Sequence, residues 1–341
     1  MDRIDARKTE ELQSLLRGAE NIVTVSHTHP DGDAVGSSLG MAGWLRSLGK
    51  KAVTLFPDPV PETLAFMLDE EDRANCLIHS ESPASAEAVL RQADLIFCLD
   101  FPSPSRTEGL AEVLRQAPAP KVLIDHHPGP EEDAFQLCFS ETRISSASEL
   151  VFWVLDALGA ELPLKAATAL MTGMTTDTNN FGNSTFPSTF EMASRLLGRG
   201  VDREGILSAI NQSYEERRLR AMGMLLDRGM VITPDGVAYM ILDAATIRSY
   251  GLQDGDTEGF VNLPLAVRKV RMSLLLKQEE GHFRVSIRSK RGVSANRCAR
   301  RWFHGGGHEM AAGGKLFFPE DIPSPDGAAA YIEKVTHEEF I

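Results

Sequence analysis

Cysteine is scarce in this chain of 341 residues, and each cysteine stands alone in the sequence. No C-x-x-C pair occurs, which argues against a disulfide framework and against a zinc site built from thiolates. The N-terminus is charged and no long apolar run follows it, so neither a signal peptide nor a membrane span is expected. These absences together predict a protein of the reducing cytoplasm.

Basic residues are also fewer than acidic residues, and the formal net charge is −13. A protein that holds long nucleic acid through many phosphates usually carries a basic surface, and this chain as a whole does not. The balance is uneven, however, because the segment 281–315 has eight Lys or Arg residues against one acid, Glu309. We therefore expect a small anionic ligand held at one place, with no long duplex and no membrane as partner.

The order of the apolar patterns predicts two domains of the α/β class. In the first, β-branched runs alternate with helical patterns, which indicates a parallel sheet with helices on both faces. The expected strands there are 21–26, 52–56, 95–99 and 122–124, and the expected helices are 9–17, 34–48, 163–171 and 188–197. A polar loop is expected at 175–180 and a charged connector helix at 214–228. Strands at 237–242, 271–276, 283–287 and 315–318 predict a second, smaller α/β domain.

Acidic and imidazole side chains follow three of the strands expected in the first domain. They are found in His27-Thr28-His29-Pro30-Asp31-Gly32-Asp33, at Asp100, and in Asp125-His126-His127. Ligands of open parallel sheets bind at the carboxyl ends of the strands. Clustered carboxylates repel one another unless a cation neutralises them, and mixed Asp and His ligands suit Mn²⁺ or Fe²⁺. A capping Asp at a strand end explains any one of these motifs alone, whereas the three together predict a metal site.

A second cluster lies in the basic segment of the C-terminal half. Gly305-Gly306-Gly307 leaves room for backbone N–H groups to approach an anion, and His308 follows directly. A plain flexible loop is the alternative interpretation. Arg288, at an expected strand end, has a guanidinium group suited to phosphate. Asn296 is a further candidate for substrate binding.

These motifs resemble those of a known family. The run Ser26-His27-x-x-Pro30-Asp31-Gly32-Asp33, then Asp100, Asp125-His126-His127 and Gly173-x-x-Thr176-Asp177-Thr178, resembles the four motifs of the DHH phosphoesterases. In the C-terminal part, Ser286-x-Arg288-Ser289 and Gly305-Gly306-Gly307-His308-x-x-Ala311-Ala312-Gly313 resemble the type 1 DHH-associated domain. The likeness covers most of the chain in the family's order. It implies a metal-binding catalytic domain at 1–200, a helical connector at 201–230 and a substrate-binding domain at 231–341, with the active site in the cleft between the domains.

The resemblance also implies roles for individual residues. One metal would be held by His27 and Asp31, the other by Asp33 and His126, with Asp100 bridging both and Asp177 on either one. Two Mn²⁺ ions are expected, and Mg²⁺, Co²⁺ or Fe²⁺ stay open as alternatives. The catalytic set comprises Asp33, Asp100, Asp125, His126 and His127, of which Asp125 and His127 would orient His126 or the phosphate. Arg106 is expected either to contact the phosphate or to form an ordinary loop salt bridge.

The family resemblance is closest to compact members that hydrolyse very short RNA (nanoRNA) and 3′-phosphoadenosine-5′-phosphate. It implies hydrolysis by water that two metal ions activate, while Arg106, Arg288, Asn296, Gly305, Gly306, Gly307 and His308 hold the substrate. Cleavage of cyclic or linear dinucleotides is the first alternative, and hydrolysis of pyrophosphate or polyphosphate is another. A nucleotide sensor without catalysis is the alternative from a different class. The oligomeric state is open, with a homodimer as one option.

Overall fold

The computed structural model describes residues 4–211, 215–253 and 255–340, and the chain divides into two compact units, Met1–Ser213 and Tyr214–Ile341. The second unit is the smaller, as expected. The domain boundaries inferred from the sequence, at residues 200 and 230, stay predictions, and the expected start of the connector helix at Tyr214 lies outside the described residues. Among the helices of the described ranges, none is both long enough and apolar enough to cross a membrane.

A six-stranded sheet forms the centre of the N-terminal unit. All neighbouring strands are parallel, and their order is β3-β2-β1-β4-β5-β6. The strands are β1 Asn21–Val25, β2 Lys51–Phe56, β3 Cys76–Ile78, β4 Leu95–Leu99, β5 Lys121–Asp125 and β6 Leu137–Ser140. The helices are α1 Ala6–Gly18, α2 Gly32–Ser47, α3 Glu70–Ala74, α4 Pro83–Gln92, α5 Ala111–Gln116, α6 Ala147–Ala157, α7 Leu164–Asp177, α8 Pro187–Gly198 and α9 Arg203–Asn211.

Helices cover both faces of this sheet, which confirms the expected architecture. Successive side chains of a strand point to opposite faces. Ile22 and Phe97 accordingly pack in one apolar cluster with residues of α1, α2, α6 and α7. Val23 and Ile96 pack in a second cluster with residues of α4 and α5. Because both faces are buried, the strands are almost uniformly apolar rather than alternating.

Two helices include site residues that the sequence interpretation assigned to loops. The structure starts α2 at Gly32, with Asp31 as its N-cap, so the expected start at residue 34 was late. The expected polar loop at 175–180 was wrong for its first half, since α7 continues to Asp177. The hydroxyls of Thr175 and Thr178 donate to the carbonyls four residues earlier at 2.7 and 2.8 Å, so these polar side chains are satisfied inside the helix.

The C-terminal unit is built on a second six-stranded sheet, in the order β11-β12-β10-β9-β8-β7. Among the strand pairs of its described residues, β8 and β9 are parallel and the others are antiparallel. Its strands are β7 Val231–Ile232, β8 Val237–Leu242, β9 Met272–Glu279, β10 His282–Ser289, β11 Gly306–Gly307 and β12 Ala311–Phe317. Its helices are α10 Glu216–Met224, α11 Ala244–Tyr250, α12 Ala295–Trp302 and α13 Ala328–Phe340.

The structure corrects two details of this unit. The expected connector helix is shorter, because α10 ends at Met224 and a π-helical turn follows over Leu225–Gly229. The expected strand at 315–318 begins earlier, at Ala311, so Gly313 and Gly314 belong to a strand rather than to a turn. Ladder bonds of β12 with both β10 and β11 outweigh the poor strand propensity of these glycines.

Candidate metal centre

The side chains of the first cluster converge at the carboxyl edge of the parallel sheet. His27 follows β1, Asp100 follows β4 and His126 follows β5, so neighbouring strands deliver all three to one edge. Asp33 lies in the first turn of α2, and Asp177 is the last residue of α7. Helices α2 and α7 pack closely, because a Cβ atom at Gly36 would lie 2.6 Å from the carbonyl oxygen of Ala169. This packing brings the carboxylates of the two helices to the same place.

Asp100 lies between two groups of candidate ligands. One of its carboxylate oxygens is 3.5 Å from Nε2 of His27, which is in turn 3.9 Å from Asp31. The other oxygen is 3.4 Å from Nε2 of His126. The same His126 nitrogen lies 4.0 Å from Asp33 and 3.7 Å from Asp177. The structure thus brings together the six side chains expected to hold metal, and their role as ligands stays a prediction.

The Asp33 carboxylate is held in place by the N-terminus of α6. It accepts hydrogen bonds from the backbone N–H groups of Ala147 at 2.6 Å and Ser148 at 2.9 Å. The first N–H groups of a helix have no partner within the helix, and the helix dipole favours an anion there. This contact was missed from the sequence. Its signal was the S-x-x-E pattern Ser146–Glu149 ahead of an apolar run, which marks a helix N-terminus.

Hydrogen bonds also orient the imidazole rings. Nδ1 of His27 lies 2.8 Å from the carbonyl oxygen of Thr28, so this nitrogen donates and Nε2 points to the carboxylates. Nδ1 of His127 lies 2.8 Å from the buried carboxylate of Asp125. Partners of this kind fix the orientation of a ligand or of its neighbour. The geometry is consistent with an orienting role for Asp125 and His127.

The electrostatics of the cluster are strongly perturbed. Burial opposes protonation of the two histidines, but the surrounding carboxylates together outweigh it and raise the pKa of His27 to about 9 and that of His126 to about 10. Asp100 acts on both rings, Asp31 adds to its effect at His27, and Asp177 and Asp33 add to it at His126. Burial also disfavours the charged form of Asp100, yet the imidazoles of His126 and His27 lower the pKa of this carboxyl far below its usual range. Burial raises the pKa of Asp177 to about 7, and burial together with Asp100 raises the pKa of Asp33 well above its usual range.

Two features of the cluster fit divalent cations. Buried carboxylate oxygens of Asp100 and Asp125 accept no hydrogen bond from the described residues. A buried carboxylate oxygen without a hydrogen bond is costly, and cations bound among these oxygens would reduce that cost. The donor set is carboxylate and imidazole without thiolate, which suits Mn²⁺, Fe²⁺ or similar ions. His27, Asp31 and Asp100 each offer a donor atom within 4.8 Å of the other two, and so do Asp33, Asp100 and His126.

Arg106 lies in the segment Pro104–Leu110 that follows Asp100, and it is exposed. Its backbone carbonyl accepts hydrogen bonds from both the N–H and the hydroxyl of Thr28, at 3.0 and 3.1 Å. The segment after β4 is therefore tied to the residue next to His27. Contact of the Arg106 side chain with a phosphate stays a prediction.

The candidate residues of the C-terminal unit gather around the strand pair β11 and β12. The guanidinium of Arg288 donates to the carbonyl oxygens of Ile287 and Ala312, at 3.0 and 3.5 Å. Asn296 lies in the first turn of α12, and its buried Oδ1 has no hydrogen-bond partner among the described residues. His308 opens the turn between the two strands, with its N–H on the carbonyl of Ala311 at 2.8 Å.

The three consecutive glycines differ in the space around them. A Cβ atom at Gly305 would lie 1.9 Å from the carbonyl oxygen of Gly313, and Gly307 has a φ of +142°. Close strand packing explains both, so the interpretation as a plain flexible loop was wrong for this segment. At Gly306 the nearest atoms to an added Cβ are the Arg300 and Asn296 side chains, at 3.7 and 3.8 Å. Gly306 is therefore the glycine that the fold does not require.

Comparisons with known proteins agree with this architecture. Residues 21–174 match the model of the DHH family N-terminal domain, and residues 236–324 match that of the DHHA1 domain. The bifunctional oligoribonuclease and PAP phosphatase NrnA of Thermus thermophilus is 32% identical over 89% of this chain and 86% of its own length. The cyclic-di-AMP phosphodiesterase GdpP of Geobacillus thermodenitrificans is 27% identical over 89% of this chain, but over only 46% of its own length.

A solved structure is similar over the whole chain. An exopolyphosphatase-related protein from Bacteroides fragilis superposes with a TM-score of 0.91 at 32% identity, and the match covers 99% of this chain and 98% of that one. Both domain matches occur in the order that the motifs predicted. The two consecutive domain matches, and the Thermus and Bacteroides proteins matched over most of their own length, lead to one conclusion: the chain belongs to the DHH family of phosphoesterases.

Proposed function

We propose that this protein hydrolyses phosphate esters of short oligoribonucleotides and of 3′-phosphoadenosine-5′-phosphate, with two Mn²⁺ ions as cofactors. The observation that carries the proposal is Asp100, whose two carboxylate oxygens face separate groups of acidic and imidazole side chains. The substrate class follows the name of the full-length Thermus relative. A cytoplasmic location and action on small nucleotides rather than long duplexes are part of the same proposal.

The proposed ligands are His27 and Asp31 for one ion and Asp33 and His126 for the other. Asp100 would bridge them, and Asp177 would complete one of the two sets. When bound, a pair of divalent ions lowers the pKa of a coordinated water molecule toward neutral pH. The ions also offset negative charge on the phosphate oxygens.

The chain itself contributes positioning. The α6 N–H groups hold Asp33, the Thr28 carbonyl orients His27, and the Asp125 carboxylate orients His127 beside the centre. Groups fixed in this way need no reorganisation when charge develops on a bound phosphate. In the C-terminal unit, Arg288, Asn296, the glycine run and His308 are the proposed contacts to the rest of the nucleotide.

One alternative is hydrolysis of cyclic or linear dinucleotides, which the GdpP relative's name supports. The same metal ligands would serve either substrate, so only an assay separates them. A catalytically silent nucleotide sensor is the alternative from another class. The complete set of six candidate ligands argues against it.

The test is a side-by-side assay of the purified protein with Mn²⁺. The substrates are a labelled ladder of RNAs of two to five nucleotides, 3′-phosphoadenosine-5′-phosphate, a cyclic dinucleotide and pyrophosphate. We expect turnover of the short RNAs and of 3′-phosphoadenosine-5′-phosphate, loss of turnover with EDTA, and loss in Asp100→Ala and His126→Ala. Preferential turnover of the cyclic dinucleotide or pyrophosphate would replace the proposal, and binding without turnover would favour the sensor.

A further inference from the structure

Two stacked phenylalanine rings lie on the N-terminal unit, close in sequence to the metal centre. The ring centroids of Phe181 and Phe190 are 5.2 Å apart, with 21° between the planes. Phe181 packs against the core of the unit, whereas Phe190 on α8 is 54% exposed. We call these two residues the aromatic pair. One ring is anchored in the fold, and the other is presented to solvent.

The backbone that leads to the aromatic pair is strained. Asn179, Asn180 and Phe181 have φ values of 46°, 55° and 64°, in the left-handed region that a bulky side chain rarely adopts. The Phe181 N–H donates to the Thr178 hydroxyl at 3.0 Å, and the Asn180 N–H donates to the Thr175 carbonyl at 2.8 Å. Such strain persists only where the surroundings enforce it, and it is concentrated at functional sites. Phe181 follows Asp177, the last residue of α7, by four residues in the chain.

A positive charge lies beside the aromatic pair. The guanidinium carbon of Arg203 is 5.4 Å from the centroid of the Phe181 ring, and the group donates a hydrogen bond to the side-chain oxygen of Asn180. Arg203 begins α9, which contacts the segment Glu62–Met67 that follows β2. On the other side of the pair, Thr189, next to Phe190, donates a 2.7 Å hydrogen bond to Glu149 in the first turn of α6. The N–H groups that begin α6 hold Asp33, so the pair lies toward the metal centre within its own unit.

We propose that the exposed Phe190 face stacks a nucleobase of a short RNA whose scissile phosphate is at the metal centre. This inference rests on the proposed function and names the part of the substrate that lies outside the reacting phosphate. Every base has an aromatic face, so stacking tolerates any sequence, and an adjacent Arg favours the anionic strand. Four residues of chain span at most about 14 Å, so Phe181 lies within reach of an RNA of a few nucleotides.

Binding of RNA tests the aromatic pair directly. The ligand is a five-nucleotide RNA with hydrolysis-resistant linkages and with 2-aminopurine placed at each position in turn, and Mn²⁺ is present throughout. We expect the unaltered protein to quench the fluorescence at one position through stacking. Phe190→Ala should abolish this quenching and weaken binding by about 5- to 100-fold, whereas Phe190→Trp should retain both. Leu197→Ala changes another exposed apolar residue of the same helix and should have no effect.

Two results would overturn the inference. They are unchanged binding of the five-nucleotide RNA in Phe190→Ala, or no binding of this RNA by the unaltered protein. Thermal unfolding of each variant shows whether a loss reflects the fold. The proposed function fails by a different observation, namely the absence of hydrolysis of short RNA with Mn²⁺. The two ideas are therefore tested separately.

Discussion

Asp100 sets the protonation of both histidines at the centre. Its carboxylate is within 3.5 Å of each imidazole and contributes to both of the pKa rises by which nearby carboxylates outweigh burial. In Asp100→Asn the burial remains but the negative charge is gone. We therefore expect the pKa of His27 and that of His126 to fall below their present values of about 9 and about 10. The measurement is an NMR titration of the imidazole signals in metal-free protein.

The matched control for this variant is Asp235→Asn. It removes the partner of the exposed His337, 3.0 Å away in the C-terminal unit, without touching the metal centre. The signals of His27 and His126 should titrate as in the unaltered protein. Unchanged pKa values in Asp100→Asn itself would show that Asp100 does not control these histidines.

Asp31 combines a structural and a chemical role, and the two can be separated. Its Oδ1 accepts hydrogen bonds from the N–H groups of Asp33 and Ala34 as the N-cap of α2. Asn caps helices as well as Asp does, so Asp31→Asn should change the free energy of unfolding by no more than about 0.5 kcal/mol. It removes the charge of a proposed metal ligand, and Mn²⁺-dependent turnover should fall by about 100-fold or more. Denaturant unfolding and steady-state kinetics measure the two effects.

Asp5→Asn is the control for the cap. Asp5 caps α1 in the same way, through a 2.8 Å hydrogen bond from the Arg7 N–H, and it is exposed. This variant should keep full turnover. If Asp31→Asn lowered the free energy of unfolding enough to account for its loss of turnover, the residue would act only through the fold.

The contact between helices α2 and α7 determines the distance between the carboxylates of Asp33 and Asp177. A Cβ atom at Gly36 would meet the α7 backbone, 2.6 Å from the Ala169 oxygen, whereas one at Gly43 would lie 3.4 Å from the Ala166 side chain. Gly36→Ala should therefore lower the free energy of unfolding by about 1–3 kcal/mol and reduce turnover. Gly43→Ala should raise stability by up to about 1 kcal/mol, because alanine favours the helix, and keep turnover. Equal effects of the two changes in unfolding experiments would contradict this account.

The strand pair β11 and β12 offers a similar comparison in the C-terminal unit. Gly306→Ala has space for its methyl group, so the fold should be preserved while a methyl group blocks close approach of a phosphate to the backbone. We expect KM for short RNA to rise about tenfold, with unchanged thermal unfolding. Gly307→Ala should instead lower stability, because its φ of +142° and a 2.7 Å approach to the Ala311 oxygen are incompatible with a side chain. An unchanged KM in Gly306→Ala would remove this segment from the binding site.

The elements also show what could be predicted from the sequence. The sheet and the convergence of His27, Asp100 and His126 were predictable, because apolar runs mark buried strands and the carboxyl ends of parallel strands share an edge. The helical position of Asp177 was not predictable, because the polar residues around it indicated a loop. In the structure the hydroxyl groups of Thr175 and Thr178 donate hydrogen bonds to carbonyl oxygens of α7. The packing role of Gly305 and Gly307 depends on contacts with β12 that lie beyond any local pattern.

For the whole molecule, metal binding is coupled to proton release. His27 and His126, with pKa values raised to about 9 and about 10, carry protons at pH 7 in the metal-free protein. Metal ligands must be deprotonated, so Mn²⁺ has to displace these protons. Asp177, whose pKa is raised to about 7, is also partly protonated at that pH. We therefore expect at least about two protons to be released per protein at pH 7 and fewer as the pH rises through 9. Titration calorimetry in two buffers with different ionisation enthalpies measures this number, and a value near zero at pH 7 would exclude charged histidines at the centre.

The same protonation determines how stability depends on pH. A raised histidine pKa stabilises the fold fully below its unfolded value of about 6.5, and the stabilisation is lost as pH rises through the folded values of about 9 and about 10. Metal-free protein should therefore melt at a lower temperature at pH 9 than at pH 7. Mn²⁺ competes with fewer bound protons at high pH. The increase in melting temperature that Mn²⁺ causes should therefore be larger at pH 9 than at pH 7. In Asp100→Asn, which lowers both histidine pKa values, thermal unfolding with and without Mn²⁺ should lose most of this dependence.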